Sequence, residues 1–214
     1  EMFLASMVYF FNNQFITATQ ATEPDGFNGL TVRVSNLPAR QTISMGTNGL
    51  DVRASLANEH TFIDLLHNLQ YIIEGGKADA FFMNDNTYLG IAGVLRRAGL
   101  LETTSDQFGR TFNMFNGTRL VDMGNTTATG TTRVLPQTET QGTSTVATSI
   151  YAARFGRDGG EFFHGIQLEP LKAKDLGMLE NGAQYRTNIE WVTGFANFNQ
   201  RSLGRLNGIV WTTT

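Results

Sequence analysis

The chain has 214 residues, 41% hydrophobic and 16% charged, with 16 basic and 19 acidic side chains for a net charge of −3. That apolar content supports a folded core rather than a disordered tail, and a chain of this length buries about 70% of the surface its unfolded form exposes. There is no cysteine, which excludes disulfides, thiolate nucleophiles and cysteine-held metals; no apolar run approaches the ~18–20 residues that span a bilayer, and Lys and Arg nowhere gather into a phosphate-binding stripe.

Residues 1–15 read as the end of a longer helix, with Leu4, Met7, Val8 and Phe11 on one face and no N-cap ahead of them. The run 2–11 is too short and too amphipathic for a signal peptide and has no basic leader. Opening on Glu1, the sequence is expected to be a processed or excerpted form. The turn residues Glu23-Pro24-Asp25-Gly26 lead to a short alternating strand over 31–34. The clearest helix spans 58–74: Phe62, Leu65, Leu66, Leu69, Ile72 and Ile73 share one side and Gly75-Gly76 ends it. A buried strand over 78–83 follows, then a helix over 87–98 capped by Asn84 or Asn86 and stopped at Gly99.

Residues 110–115 and 118–122 form a hairpin around Asn116-Gly117, a type I′ signal. Between 124 and 145 the chain is Thr, Gly, Gln and Asn with almost no apolar residue, which predicts a long, exposed, mobile loop. A strand over 147–155, a turn at Asp158-Gly159-Gly160 and a pair of strands flanking 168–174 come next. The longest alternation, 184–195, sets Tyr185, Thr187, Ile189, Trp191 and Thr193 on one face and Gln184, Arg186, Asn188 and Glu190 on the other. A helical turn over 199–206 and a strand over 208–211 close an α+β chain without internal repeats.

Chemistry is sparse. His60, Asp64 and His67 lie within about 60° of one another on the helix over 58–74, at ~100° per residue, but opposite its apolar stripe; they read as a solvated face and no metal is expected. His164 with Ser149 and Asp158 makes no triad, because no Gly-x-Ser-x-Gly elbow exposes the serine. Glu161, Glu169 and Asp175 are scattered over turns and strand ends, and the glycines form no phosphate cradle. A glycan- or ice-facing role for the Thr-rich loop would need a regular repeat that its spacing lacks. No enzyme, cofactor or metal is expected.

Five stretches taken together carry a resemblance. They are Pro24-Asp25-Gly26-Phe27-Asn28-Gly29-Leu30 after a helix end; the helix 62–73 followed by Ala80-Phe81-Phe82-Met83-Asn84; Phe108-Gly109-Arg110 leading through the hairpin to Leu120-Val121-Asp122; Ser149-Ile150-Tyr151-Ala152-Ala153-Arg154-Phe155-Gly156 before Gly165-Ile166-Gln167; and Tyr185-Arg186-Thr187-Asn188-Ile189-Glu190-Trp191 with Gly194-Phe195-Ala196, then 201–209. In this order, over roughly 14–211, the chain resembles the major capsid proteins of tailed bacteriophages, whose fold is shared with herpesviruses and encapsulins.

The resemblance implies an α+β fold in which residues 1–52 and 178–214 form a peripheral region, a spine helix with long strands, and residues 53–177 an inserted axial region whose loops face the capsomer centre. The Thr-rich loop would lie in that region, near the pore. Family members also carry an extended arm and a long hairpin ahead of the spine helix, neither of which is in this sequence. The implied function is self-assembly into pentamers and hexamers of an icosahedral phage capsid, assembled in the host cytoplasm and ending in the virion. Implied partners are other copies of itself, portal, scaffolding and decoration proteins, and weakly, non-specifically contacted packaged DNA; no membrane is involved. Tyr9, Phe10 and Phe11 on the helix end, with Thr127, Thr129 and Thr131 in the loop, are the candidate intersubunit contacts. The competing readings are an encapsulin-type compartment shell and an adhesion or binding module using the Thr-rich loop.

Overall fold

The computed structural model describes residues 2–156, 160–178, 182 and 185–211; the turn expected at Asp158-Gly159 lies outside them. The elements in chain order are helix α1 (Met2–Thr17), helix α2 (Leu30–Ser35), strands β1 (Thr42–Ser44) and β2 (Leu50–Asp51), helix α3 (Leu56–Ile72), β3 (Ala80–Met83), helix α4 (Asp85–Ala98), β4 (Glu102–Ser105), β5 (Thr111–Phe115), β6 (Thr118–Asp122), β7 (Glu139–Gln141), β8 (Ser144–Ala153), β9 (Phe163–Met178), β10 (Tyr185–Asn197) and β11 (Leu203–Val210). Among the described residues they make one nine-stranded sheet, ordered β1-β11-β8-β3-β6-β5-β4 with β2 on β11 and β7 on β8, and a separate ribbon of β9 and β10.

The sheet is buried on both faces at its centre, which is why β3 reads as the unbroken apolar run Ala-Phe-Phe-Met. Alternation splits these strands between two cores. Phe81, Met83, Ile150, Ala152 and Leu206 face α3 and α4, meeting Phe62, Leu66, Leu69, Ile91 and Leu95. Ala80, Phe82, Tyr151, Ala153 and Leu203 face the other way, onto Phe15 and Ile16 of α1, Leu30 and Val34 of α2, and Phe163.

Local chemistry sets the element ends. The Ser55 side chain accepts from Asn58 N and starts α3 two residues before the expected 58. Asn84 Oδ1 accepts from Thr87 N at 2.8 Å, so Asn84 caps α4, and Gly99 ends it in the left-handed region. Asn116 and Gly117 have φ of 46° and 76°, as the tight β5–β6 turn requires.

Four expectations are corrected. Residues 31–34 are helical within α2, because Leu30 and Val34, one turn apart, both bury against the sheet and a helix presents i and i+4 on one side. The helical turn over 199–206 is absent: Asn199 closes a side-chain turn onto Arg201 N (2.8 Å), and β11 begins at Leu203. One continuous strand, β9, passes through 168–174 rather than a pair flanking it. The 124–145 segment is neither free nor without apolar anchors, since Val134 and Leu135 are buried and 139–141 is strand β7.

The charged side chains near the sheet centre are paired. Arg205 on β11 donates from Nε to Ser149 Oγ (3.0 Å) and from a terminal nitrogen to Glu139 Oε2 (3.0 Å), and Ser149 donates to the same carboxylate. Three strands are thereby tied through one polar cluster, and Ser149, fully buried, holds structure. Tyr151 beneath it donates to Thr31 (3.4 Å), and burial pushes its phenol above the ordinary range despite nearby Arg205.

Two outcomes follow. Phe163 is 1% exposed between the ribbon and the sheet, so Phe163→Ala should cost about 3–5 kcal/mol in a denaturant titration; an unmoved midpoint would show that the junction does not hold the fold. The folded protein keeps Tyr151 protonated where the unfolded chain ionises, so stability is lost as pH rises past about 10. In thermal melts Tyr151→Phe should fall less steeply than the parent across that range.

Candidate assembly surfaces

Aromatic rings dominate the junction between α1, the 24–29 turn and the ribbon. Phe11 lies 4.8 Å from Trp191 and 5.8 Å from Phe195, centroid to centroid. Phe15 reaches Phe82 at 5.2 Å and Phe195 at 5.1 Å; Phe27 meets Phe195 edge-on at 4.9 Å, and Phe163 stacks on Phe195 at 5.3 Å. Such pairs add about 0.5–1.5 kcal/mol each beyond area burial. Arg33 locks the frame, donating to Asn28 O at 2.6 Å and Phe195 O at 2.7 Å, and burial holds its guanidinium below the ordinary range. Gly29 lets the turn approach: an added Cβ would stand 2.6 Å from the Ile16 carbonyl oxygen.

Beyond this junction the ribbon is bare. β9 and β10 pair antiparallel from Phe163↔Asn197 to Met178↔Tyr185, with bulges near Glu190 and Val192 that interrupt the expected two-faced alternation. Ile166, Leu168, Leu171, Leu176, Met178 and Val192 stand 43–83% exposed along it. A two-stranded ribbon is marginal in water by itself, and exposed apolar surface of this kind marks an interaction site.

Of the residues singled out from sequence, the fold joins some and separates others. Tyr9 and Phe10 on the outer side of α1 border a depression of about 390 Å³ with Thr127 and Thr129, and Phe10 is 57% exposed. The loop reaches α1 because it is a folded excursion: Asn125 bridges Arg133, Thr126 N donates to Thr132 O at 2.9 Å, and Arg133 pairs with Asp85 of α4. Phe11 instead turns into the aromatic junction, and Thr131 lines a different, shallow depression with Arg133 and Trp211. His67 sets its ring 4.8 Å from Phe115 rather than on a solvated face, while His60 and Asp64 are exposed. His164 sits at the ribbon's root, its ring 5.8 Å from Phe198.

Sequence reasoning missed the ribbon's exposed apolar residues and the role of Phe27. The signal was present in the apolar positions 166, 168, 171, 176 and 178, but the bulges obscure the period. Phe10→Ser should leave the melting temperature of the isolated chain nearly unchanged, as an exposed position predicts, while lowering the fraction assembled in size-exclusion chromatography; equal assembly would remove Phe10 from the contact surface.

No family model matches the sequence, and no curated protein matches it. Solved structures do. The chain superposes on the holo-SrpI encapsulin complex from Synechococcus elongatus PCC 7942 with a TM-score of 0.64 at 15% identity, 97% of this chain covering 64% of that one. It superposes on the capsid of an empty GTA particle with a TM-score of 0.51 at 13% identity, 92% covering 60%. The chain thus spans less than two thirds of the length of either neighbour, and at these identities the likeness is one of fold: it has the α+β capsid fold that tailed-phage major capsid proteins share with encapsulins.

Proposed function

We propose that the chain is a shell subunit, many copies of which assemble into the pentamers and hexamers of a closed icosahedral particle. The observation that carries this reading is the ribbon, whose apolar side chains project from a well-packed body and stay exposed among the described residues. A second subunit covers them, and in a closed shell each modest contact is strengthened because its neighbours are already held in place. Tyr9, Phe10, Thr127 and Thr129, brought together at the α1 depression, form a second contact patch, and Phe11 and Thr131 border further ones. Residues 1–52 and 178–214 act as the peripheral region and 53–177 as the axial region.

A phage capsid enclosing DNA is the reading favoured by the sequence motifs. Its partners are then portal, scaffolding and decoration proteins and weakly held DNA, its place the virion, and its role structural rather than enzymatic. An encapsulin-type compartment is the second reading, favoured by the higher TM-score of the encapsulin neighbour. Negative-stain electron microscopy with size-exclusion chromatography tests the shared claim: closed particles, five- or six-membered rings or sheets are expected, and a strictly monomeric species at high concentration would overturn it. In purified particles, nuclease-protected DNA supports the phage reading, and hollow particles without it the compartment.

A further inference from the structure

Two of the apolar features left open among the described residues differ in charge. The groove at the ribbon's root, about 190 Å³, has a floor that includes Met7, Phe11, Phe27 and Trp191, and Glu23 and Asp25 stand on its rim. Gln14 Nε2 donates to Glu23 at 3.2 Å, but neither acid enters an ion pair among the described residues. The distal ribbon offers the opposite set. Leu176 and Met178 are 47% and 60% exposed; Lys172 is taken by Glu169 at 2.9 Å, Asp175 alternates to the other face from Lys174 and accepts from Gly177 N at 2.9 Å, and Lys174 and Arg186 are in no ion pair among the described residues.

One copy cannot satisfy both. Lys174 pairs across from Asn188, so it and Arg186 lie roughly 10 and 17 Å along the strand from Trp191 at ~3.3 Å per residue. An extended, paired strand does not turn back over that span.

We infer that the distal β9–β10 ribbon of one copy seats in the α1–Phe27–Trp191 groove of the next, with Lys174 and Arg186 against Glu23 and Asp25. The occupant is a second copy of this chain, and the contact is head-to-tail. Such a heterologous contact repeats from copy to copy and closes into a ring when its rotation closes, so this inference rests on the shell reading and names the surfaces that build the ring. The apolar floor supplies adhesion, and the paired charges set register and exclude the ribbon-on-ribbon alternative.

The absence of native cysteine makes the test clean. Asp25→Cys copies and Lys174→Cys copies are assembled together under mild oxidation, and each alone as a control. A disulfide-linked dimer in the mixture, and little in either control, is expected. In parallel, the Glu23→Lys/Asp25→Lys pair and the Lys174→Glu/Arg186→Glu pair should each raise the concentration for half-assembly by about tenfold at low salt, less at high salt, with circular dichroism unchanged; joining all four substitutions should restore it. Cross-linking of Lys174→Cys copies to themselves, or no cross-link in the mixture while the parent chain assembles, would overturn this contact and leave the shell reading standing. A parent chain that stays monomeric throughout would overturn both.

Discussion

The stacked and edge-on rings of Phe11, Phe15, Phe27, Phe163 and Phe195 are the interaction on which the rest of the molecule depends. They join segments far apart in sequence: the C-terminal half of α1, the 24–29 turn, and both strands of the ribbon where it leaves the body. Phe82 extends the contact onto the central strand β3. Aromatic side chains suit this place because each buries a large area with few rotatable bonds, so the ordering entropy stays small relative to the surface removed from water. Arg33 adds direction, since its fork spans the turn and the Phe195 carbonyl together.

From that junction the architecture follows in two directions. Inward, the central sheet carries two cores back to back, and several buried polar groups are held by internal bonds: the Arg205–Ser149–Glu139 cluster, Asn84 bonded to Thr148 and Leu135 O, and Gln70 bonded to Thr118 and Asn116 O; Gln41 Oε1 and Asn207 Oδ1 are buried with no partner among the described residues. Buried polar groups satisfied by such bonds rigidify the core. Outward, the ribbon continues past the junction with its apolar side chains exposed among the described residues. A packed interior thus stands beside an exposed apolar projection.

The loop over the outer face of α1 belongs to the same logic. Its threonines are exposed, but Val134 and Leu135 anchor its return and Arg133 pins it to α4. Two apolar residues in a polar stretch of more than twenty are a faint signal, yet they suffice because both land in a core already formed by β3, β8 and α1. The Thr-rich tip is thereby held beside Tyr9 and Phe10.

Much was legible in the residues themselves. The apolar stripe of α3, the Asn84 cap, the Gly99 stop, the Asn116-Gly117 turn and the unbroken β3 run are local signals, each read by the backbone within a few residues. The motifs from Pro24 to Leu30 and from Ser149 to Gly156 pointed to the capsid fold. Tertiary structure decided what depends on distant partners. It made 31–34 helical, because Leu30 and Val34 share a buried side only as a helix; it carried β9 straight through 168–174, because β10 pairs with it along its length; it sent Phe11 inward and left Phe10 outward; and it took Ser149 and His67 into structural contacts. Local propensity sets an element's type where the pattern is strong, whereas which face is buried, and so which residues remain free to meet another subunit, is settled only when the sheet, the helices and the ribbon compete for the same apolar surface.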